Sequence, residues 1–356
     1  MKLKKHLFIR LIIMCLFASG IQDTYSFWGT KTRTHTPVTL SSEPAQKGDS
    51  YTRDRFVYGL TRVLATITVS WLFYKSLFLS KKITKNKQKS ITRLPIVVSA
   101  QKGTDNKNLL KRMEDRHAHY TINIGSGIQV AIVCDGHGGT GPVEYFMCNF
   151  KELFRTHLKN NPKNIKLALE TTFKIIDKEI CKKGQWEDHG TTALVYVSYA
   201  DTYYIAHVGD SRAVLCRETK ALKRSQDHKP DEPSEKERIL KHGGQIKDNR
   251  VDDLGMSRAV GDAAVKTKHP GSIIATPTIT DYRNKASNRF IIMASDGLWD
   301  VIKSQDAVDR ALASLTENPH NYQKAAEELV CFATKQWETK NPGRTDDITV
   351  MIIPLN

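Results

Sequence analysis

Val133-Cys134-Asp135-Gly136-His137-Gly138-Gly139 decides how the rest of this chain is read. The apolar run from Ile128 to Val133 predicts a buried strand. It stops in an Asp, a His and three glycines. Glycine lets the backbone turn sharply and come close to a ligand. A carboxylate at a strand end, beside bared main-chain carbonyls, suits a hard cation such as Mg²⁺ or Mn²⁺. The same residues also fit a tight turn whose Asp caps the next helix. The sequence around them has to choose.

Acidic residues recur beside glycine or at strand ends: Glu114-Asp115 in MEDRH, Asp210 in VGDSR, Asp262 in SRAVGD, Asp296 in ASDGLWD, and Asp346-Asp347 before ITVMII. Adjacent strands can bring such carboxylates to one rim. Like charges crowded there are costly unless cations lie between them. Two divalent ions would answer that cost.

Strands are expected at Pro95–Ala100, Gln129–Cys134, Thr191–Tyr199, Thr202–Val208, Ala213–Arg217, Phe290–Ala294 and Ile348–Ile353. Helices are expected at Pro142–Lys159, Ile165–Lys183, Glu232–His242, Ser304–Leu315 and Tyr322–Glu338. Val143, Phe146, Met147, Phe150, Phe154 and Leu158 recur at helical spacing and read as core. Strands in runs with helices in pairs predict antiparallel sheets flanked by helices, not a doubly wound parallel sheet. The chain has no Walker loop.

The 356 residues carry a net charge of +16, which invites a nucleic-acid or membrane reading. The charge is local. No acid occurs between Asp54 and Asp105, while Lys81, Lys82, Lys85, Lys87, Lys89 and Arg93 crowd that gap. Aromatic and basic residues do not interleave there as in a single-strand binder, so nucleic acid is not an expected partner. The six cysteines form no CxxC pair and no zinc spacing, a pattern of reduced thiols.

Residues 1–20 read as a signal peptide or signal anchor, and 21–60 as a disordered linker. Residues 61–80, centred on Val63–Leu79, read as a transmembrane helix at the short limit for a span. The alternative is a helix lying flat on the membrane or packed in a core. The basic segment 81–92 would face the cytosol and could hold anionic lipid headgroups through Lys81–Lys89. No Asn-x-Ser/Thr sequon occurs.

Residues 93–356 carry, in order, MED, DGHGG, GTT, VGDSRAVL, DHKP, ER-I-x₃-GG, SRAVGD, ASDGLWDV and DDITVMII. This ordered set resembles the PP2C (PPM) family of metal-dependent Ser/Thr protein phosphatases. The resemblance implies an α+β fold, a four-layer α/β/β/α sandwich of two antiparallel sheets flanked by helix pairs. It implies hydrolysis of phosphoserine and phosphothreonine by a hydroxide activated between two Mn²⁺ or Mg²⁺ ions. It gives Asp135 as the bridging ligand, the Gly136 carbonyl on one ion, and Asp296 with Asp346 on the other. Glu114 and Asp115 would support the ions directly or through water, and His137 would be the general acid.

The chain also departs from the family. Members usually carry a phosphate-gripping Arg three residues before the Met of MED; here that position is Leu110. On a regular strand Arg112 shares a face with Leu110, whereas Lys111 faces the other way. Arg112, or less favourably Lys111, is therefore the expected substitute. The loop Arg250–Leu254 lacks the usual glycine, and Asp347 stands where Asn is common. Glu187, with Asp188 beside it, occupies a position associated with a third, weaker metal; either binds, or both are solvated surface. The rival to an enzyme is a catalytically impaired relative used as a binding module. The expected partners are phosphoprotein substrates and membrane lipid, with the chain monomeric. The layout resembles the membrane-tethered members of the family in the endoplasmic reticulum. It implies a single pass in that or another secretory-pathway membrane, with the domain facing the cytosol.

Overall fold

The computed structural model describes residues 95–104, 112–124, 127–161 and 164–355, with Thr68, Trp71, Leu72 and Lys75. The signal segment 1–20, the linker 21–60 and the basic segment 81–92 lie outside the described residues. So do Leu110, Lys111 and the span 61–80, except for those four residues, which are helical. Among the described residues no helix is long and apolar enough to cross a membrane. Contacts divide the chain into units at 1–89 and 90–356, and the second carries the fold.

Two five-stranded sheets form its centre. One has the order β1 (Val97–Gln101), β15 (Ile348–Pro354), β14 (Asn288–Ala294), β8 (Arg212–Arg217), β9 (Lys220–Lys223). The other runs β13 (Thr278–Arg283), β7 (Thr202–Val208), β6 (Ala193–Tyr199), β3 (Ile128–Cys134), β2 (Arg116–Ile122). Every pairing within them is antiparallel.

Side-chain alternation makes the layers. Along β3, Ala131 and Val133 join Ile291 and Met293 of β14 and Met351 and Ile353 of β15 in the core between the sheets. Val130, Ile132 and Cys134 point the other way, onto α1 (Gly141–Asn160) and α2 (Ile165–Cys181). Ile292, Ala294, Val350 and Ile352 meet α6 (Ser304–Glu317) and α7 (Tyr322–Lys340). Successive strand residues face opposite sides, so a strand covered on both faces must be apolar throughout. The helices pack through the residues their periodicity marks. Phe146, Phe150 and Phe154 are wholly buried, stacked at 5.3 and 5.5 Å, with Phe173 of α2 edge-on to Phe146 at 5.3 Å. The result is the expected α/β/β/α sandwich.

The registers place the site. Arg116 pairs with Cys134, Ala193 with Val208, and Ala294 with both Arg212 and Val350. The ends of β3, β7 and β14 and the starts of β2, β6, β8 and β15 therefore share one rim. The segments bearing Glu114-Asp115, Asp135, Asp210, Asp296 and Asp346-Asp347 all leave from it.

The strand expected over Thr191–Tyr199 is broken at Thr192, between β5 (Gly190–Thr191) and β6. There the backbone turns to Asp135. A three-stranded miniature sheet results, with β5 between β4 (Gly136–His137) and β12 (Val260–Gly261). An excursion from 233 to 274 carries α3 (Pro233–Lys241), the hairpin β10 (Ile246–Lys247) and β11 (Arg250–Val251), and α4 (Ala263–Lys268). It has its own small core of Ile239, Val251, Ala259 and Ile273. In the glycine-free loop Asp252 and Asp253 take φ of 45° and 68°, the conformation a glycine would hold more cheaply.

Candidate active site

Two threonines fix the backbone of Asp135. The Asp135 carbonyl accepts from Thr192 N at 2.8 Å and Thr191 Oγ1 at 3.0 Å, and Asp135 N donates to Thr192 Oγ1 at 3.0 Å. Thr192 Oγ1 also lies 2.7 Å from Ser211 Oγ. The GTT and GDSR stretches thus hold the DGHGG turn in place. Gly136 is obligatory here, since a Cβ would stand 2.9 Å from the Glu114 carbonyl.

Asp135 and Asp296 lie close enough for each charge to be felt by the other. Burial pushes both carboxyls well above the ordinary range. At Asp135 the charges of Asp296, Asp115 and Asp346 add to it; at Asp296 those of Asp210, Asp346 and Asp300 do. Asp115 is raised to about 7, first by burial and then by Asp347 and Asp346, against an opposing hydrogen bond from Ser295. Ser295 Oγ lies 2.7 Å from Asp115 Oδ2. Asp346 Oδ1 accepts from Asp347 N at 2.9 Å.

Among the described residues no three such side chains stand closed around one point as a preformed cation cage. The donor set nevertheless fits a hard divalent ion. It consists of carboxylate oxygens, and Asp115 Oδ1, Asp210 Oδ1 and Asp296 Oδ1 are buried with no hydrogen-bond partner. Asp135, Asp296, Asp346, Glu114 and Asp115, with the Gly136 carbonyl, could hold such ions.

His137 meets Asp262, Nε2 to Oδ1 at 2.7 Å. Burial works against a charged imidazole. The Asp262 bond and the charges of Asp262, Asp210 and Glu114 outweigh it, and the net shift is upward. Lys229 Nζ pairs with Asp210 Oδ2 at 2.5 Å. Burial lowers its pKa, but Asp210, Asp296 and Asp300 bring it above the ordinary value.

Two expectations need correction. Arg112 does not lie on a strand, because residues 112–115 are irregular and β2 begins at Arg116. The face-sharing argument that favoured it over Lys111 therefore does not hold. Arg112 is exposed, and its charge is felt at Glu144 in the first turn of α1. Asp262 does not join the carboxylate cluster; it serves His137. Glu187 and Asp188 are both exposed, beyond the short 3₁₀ turn Gly184–Trp186. Sequence reading also missed the Asp210–Lys229 pair, for which the adjacent GD and HK dipeptides gave no periodic signal.

Comparison with known proteins agrees with this geometry. The sequence profile of the family described as Protein phosphatase 2C matches residues 99–341. "Probable protein phosphatase 2C 45" of Oryza sativa subsp. japonica is 37% identical over 229 residues, 62% of this chain and 74% of that protein. "Probable protein phosphatase 2C 61" of Arabidopsis thaliana is 31% identical over 266 residues, 66% of this chain and 79% of the relative. The crystal structure of serine-threonine phosphatase 2C from Toxoplasma gondii superposes with a TM-score of 0.60 at 22% identity. It covers 73% of this chain and 94% of that one, and at that identity it bears on the fold. The profile spans well over half of the sequence: the chain belongs to the protein phosphatase 2C family of metal-dependent Ser/Thr phosphatases.

Proposed function

We propose that this chain is a catalytically competent phosphatase, hydrolysing phosphoserine and phosphothreonine in protein substrates. The observation that carries the reading is the half-buried carboxylate pair Asp135–Asp296, with Asp115 and Asp346 around it and unpartnered oxygens beside it. Asp135, the Gly136 carbonyl, Asp296 and Asp346 hold two Mn²⁺ or Mg²⁺ ions, and Glu114 and Asp115 support them. When bound, these ions acidify water and offset the charge of the phosphoryl oxygens. The chain's own residues do the rest. The rim exposes the cluster to a protein substrate. His137 gives a proton from Nδ1 to the departing seryl or threonyl oxygen. Arg112, exposed just ahead of Glu114, supplies a fork for the substrate phosphate.

A second reading has one observation in its favour: Leu110 stands where the family's phosphate-gripping Arg is usual. On that reading the fold binds phosphoproteins without turning them over. Metal-stripped full chain, given Mn²⁺ and a phosphothreonine peptide, separates the two. Turnover that Asp296→Asn abolishes supports the enzyme. Metal binding without turnover supports the binding module.

The apolar stretch Val63–Leu79 and the Lys81–Lys89 block support a single-pass, lipid-contacting anchor, with a signal segment at 1–20. On this proposal the monomeric domain faces the cytosol at a secretory-pathway membrane. Protease protection of a C-terminal tag in intact microsomes tests it, and a protected tag overturns it.

A further inference from the structure

Asp262 is built for one contact. It lies 1% exposed at the end of β12, in a left-handed conformation with φ of 54°. That conformation is strained for a non-glycine residue and persists only where its surroundings impose it. Here Asp262 N donates to the His189 carbonyl at 2.8 Å, and the Asp262 carbonyl accepts from Lys266 N at 3.1 Å. Next to it Gly261 has φ of 91°, and Asp177 Oδ1 accepts from its N–H at 2.9 Å. The backbone is clamped on both sides so that the carboxylate reaches across β5 to His137.

The miniature sheet supplies the path. Gly190 lies between its two partners, paired with His137 on one side and with Gly261 on the other. A side chain at Gly190 would collide with both the Asp262 carboxylate and His137 Nε2. The absence of one lets the contact form. An ionised carboxylate only accepts, so Asp262 requires the hydrogen on Nε2. The other ring nitrogen, Nδ1, is buried and has no partner in the protein. A buried polar atom left unpaired is costly, which selects for something that fills the place.

We propose that Asp262 is the positioning residue of the proton donor: it holds the His137 ring by Nε2 and so makes Nδ1 the nitrogen that hands over the proton. The inference rests on the reading of His137 given above. In the reaction a water oxygen forms the new bond to phosphorus as the P–O bond to the seryl or threonyl oxygen breaks. The departing oxygen keeps that bonding pair and takes the proton from Nδ1, whose N–H pair stays on the ring. The attacking water releases one proton to solvent, and the ring regains one from solvent. The products are the free hydroxyl side chain and inorganic phosphate. Throughout, the hydrogen stays on Nε2 and is donated to Asp262 Oδ1, which prevents the ring from turning.

The test compares two substrates on the Mn²⁺-loaded full chain. A phosphothreonine peptide has a poor leaving group that needs the proton; p-nitrophenyl phosphate does not. Asp262→Asn is expected to lose about 100-fold in kcat on the peptide and about threefold or less on the aryl ester. His137→Gln should show the same split, and the double variant should be no worse than either single one. Nitrogen-detected imidazole spectra of the metal-free protein give a reading independent of turnover. The His137 signal, assigned by its loss in His137→Gln, should show a protonated Nε2 that changes in Asp262→Asn, while the His207 and His228 signals stay. Equal loss on both substrates, losses that add in the double variant, or an unprotonated Nε2 in the unaltered protein would overturn the role of Asp262. The spectra of the unaltered protein, with His137→Gln for assignment, decide the matter even if Asp262→Asn does not fold. No turnover of either substrate by the unaltered protein overturns the enzyme reading instead.

Discussion

The Asp347 carboxylate accepts the backbone N–H of Glu114 at 2.7 Å through Oδ2, and that of Gly103 at 2.7 Å through Oδ1. One buried side chain therefore ties the start of β15 to the segment bearing Glu114-Asp115 and to the end of β1. Hydrogen bonds to a charged group contribute about 1.5–3 kcal/mol each, and buried donors left bare are costly. Asp347→Ala should destabilise the protein by about 2–4 kcal/mol in urea unfolding and lower turnover by displacing Glu114. Asp347→Asn keeps one acceptor and should cost about half as much. Loss of turnover without loss of stability would give Asp347 a direct part in the site.

The crowded carboxylates predict a stability that depends on divalent ions. An ion that binds the folded chain at a hundred times its Kd adds about 2.7 kcal/mol, or roughly 5–10 °C in Tm for a domain this size. Mn²⁺ should raise the Tm of chelator-stripped protein by that much, and Asp296→Asn should remove most of the response. A variant that keeps the full shift would place the ions elsewhere.

Acid should loosen the excursion between α3 and β13 first. Burial works to raise the Glu235 carboxyl, but hydrogen bonds from Arg258, Ser257 and Arg238 hold it at about 2. Its stabilising contribution is complete above the unfolded value of 4.5 and is lost as pH falls toward 2. Burial, with His207 stacked at 4.4 Å and Arg258 nearby, holds His228 neutral at about 2. Below pH 6.5 the unfolded chain takes up a proton that folded His228 refuses. Each such group lowers stability by up to about 1.4 kcal/mol per pH unit. Urea midpoints should fall between pH 7 and 5, and His228→Asn should flatten that slope. Glu235→Ala, which leaves two arginines unpaired, should cost about 3–5 kcal/mol at pH 7.

Arg112→Ala should raise KM for a phosphopeptide about tenfold while kcat changes little, the signature of lost uniform binding. An unchanged KM would pass the phosphate-gripping role to another cation, with Lys229 the next to alter.

The inner strands and the edge strands differ in how plainly they can be read. β3, β6, β14 and β15 are covered on both faces, so each shows as an unbroken apolar run. β2 (RHAHYTI) and β13 (TITDYR) are edge strands with one face toward solvent, and polar residues hide them. Asp135, Asp296 and Asp346 were legible for a related reason, since each lies within two residues of an apolar strand. The His137–Asp262 contact was not. It joins residues 125 apart through strands of two residues each, too short for any periodicity to show. The only hint was Asp262 in a place where the backbone needs a left-handed residue, and that is a property of conformation, not of composition.

The register of β1 against β15 sets where this domain can be handled. Val97 lies opposite Ile352 and Gln101 opposite Ile348. The chain thus enters and leaves the fold at the same pole, while the carboxylate rim occupies the other. A tag or solid support attached just before β1 or just after β15 therefore meets the fold at the pole away from the carboxylates.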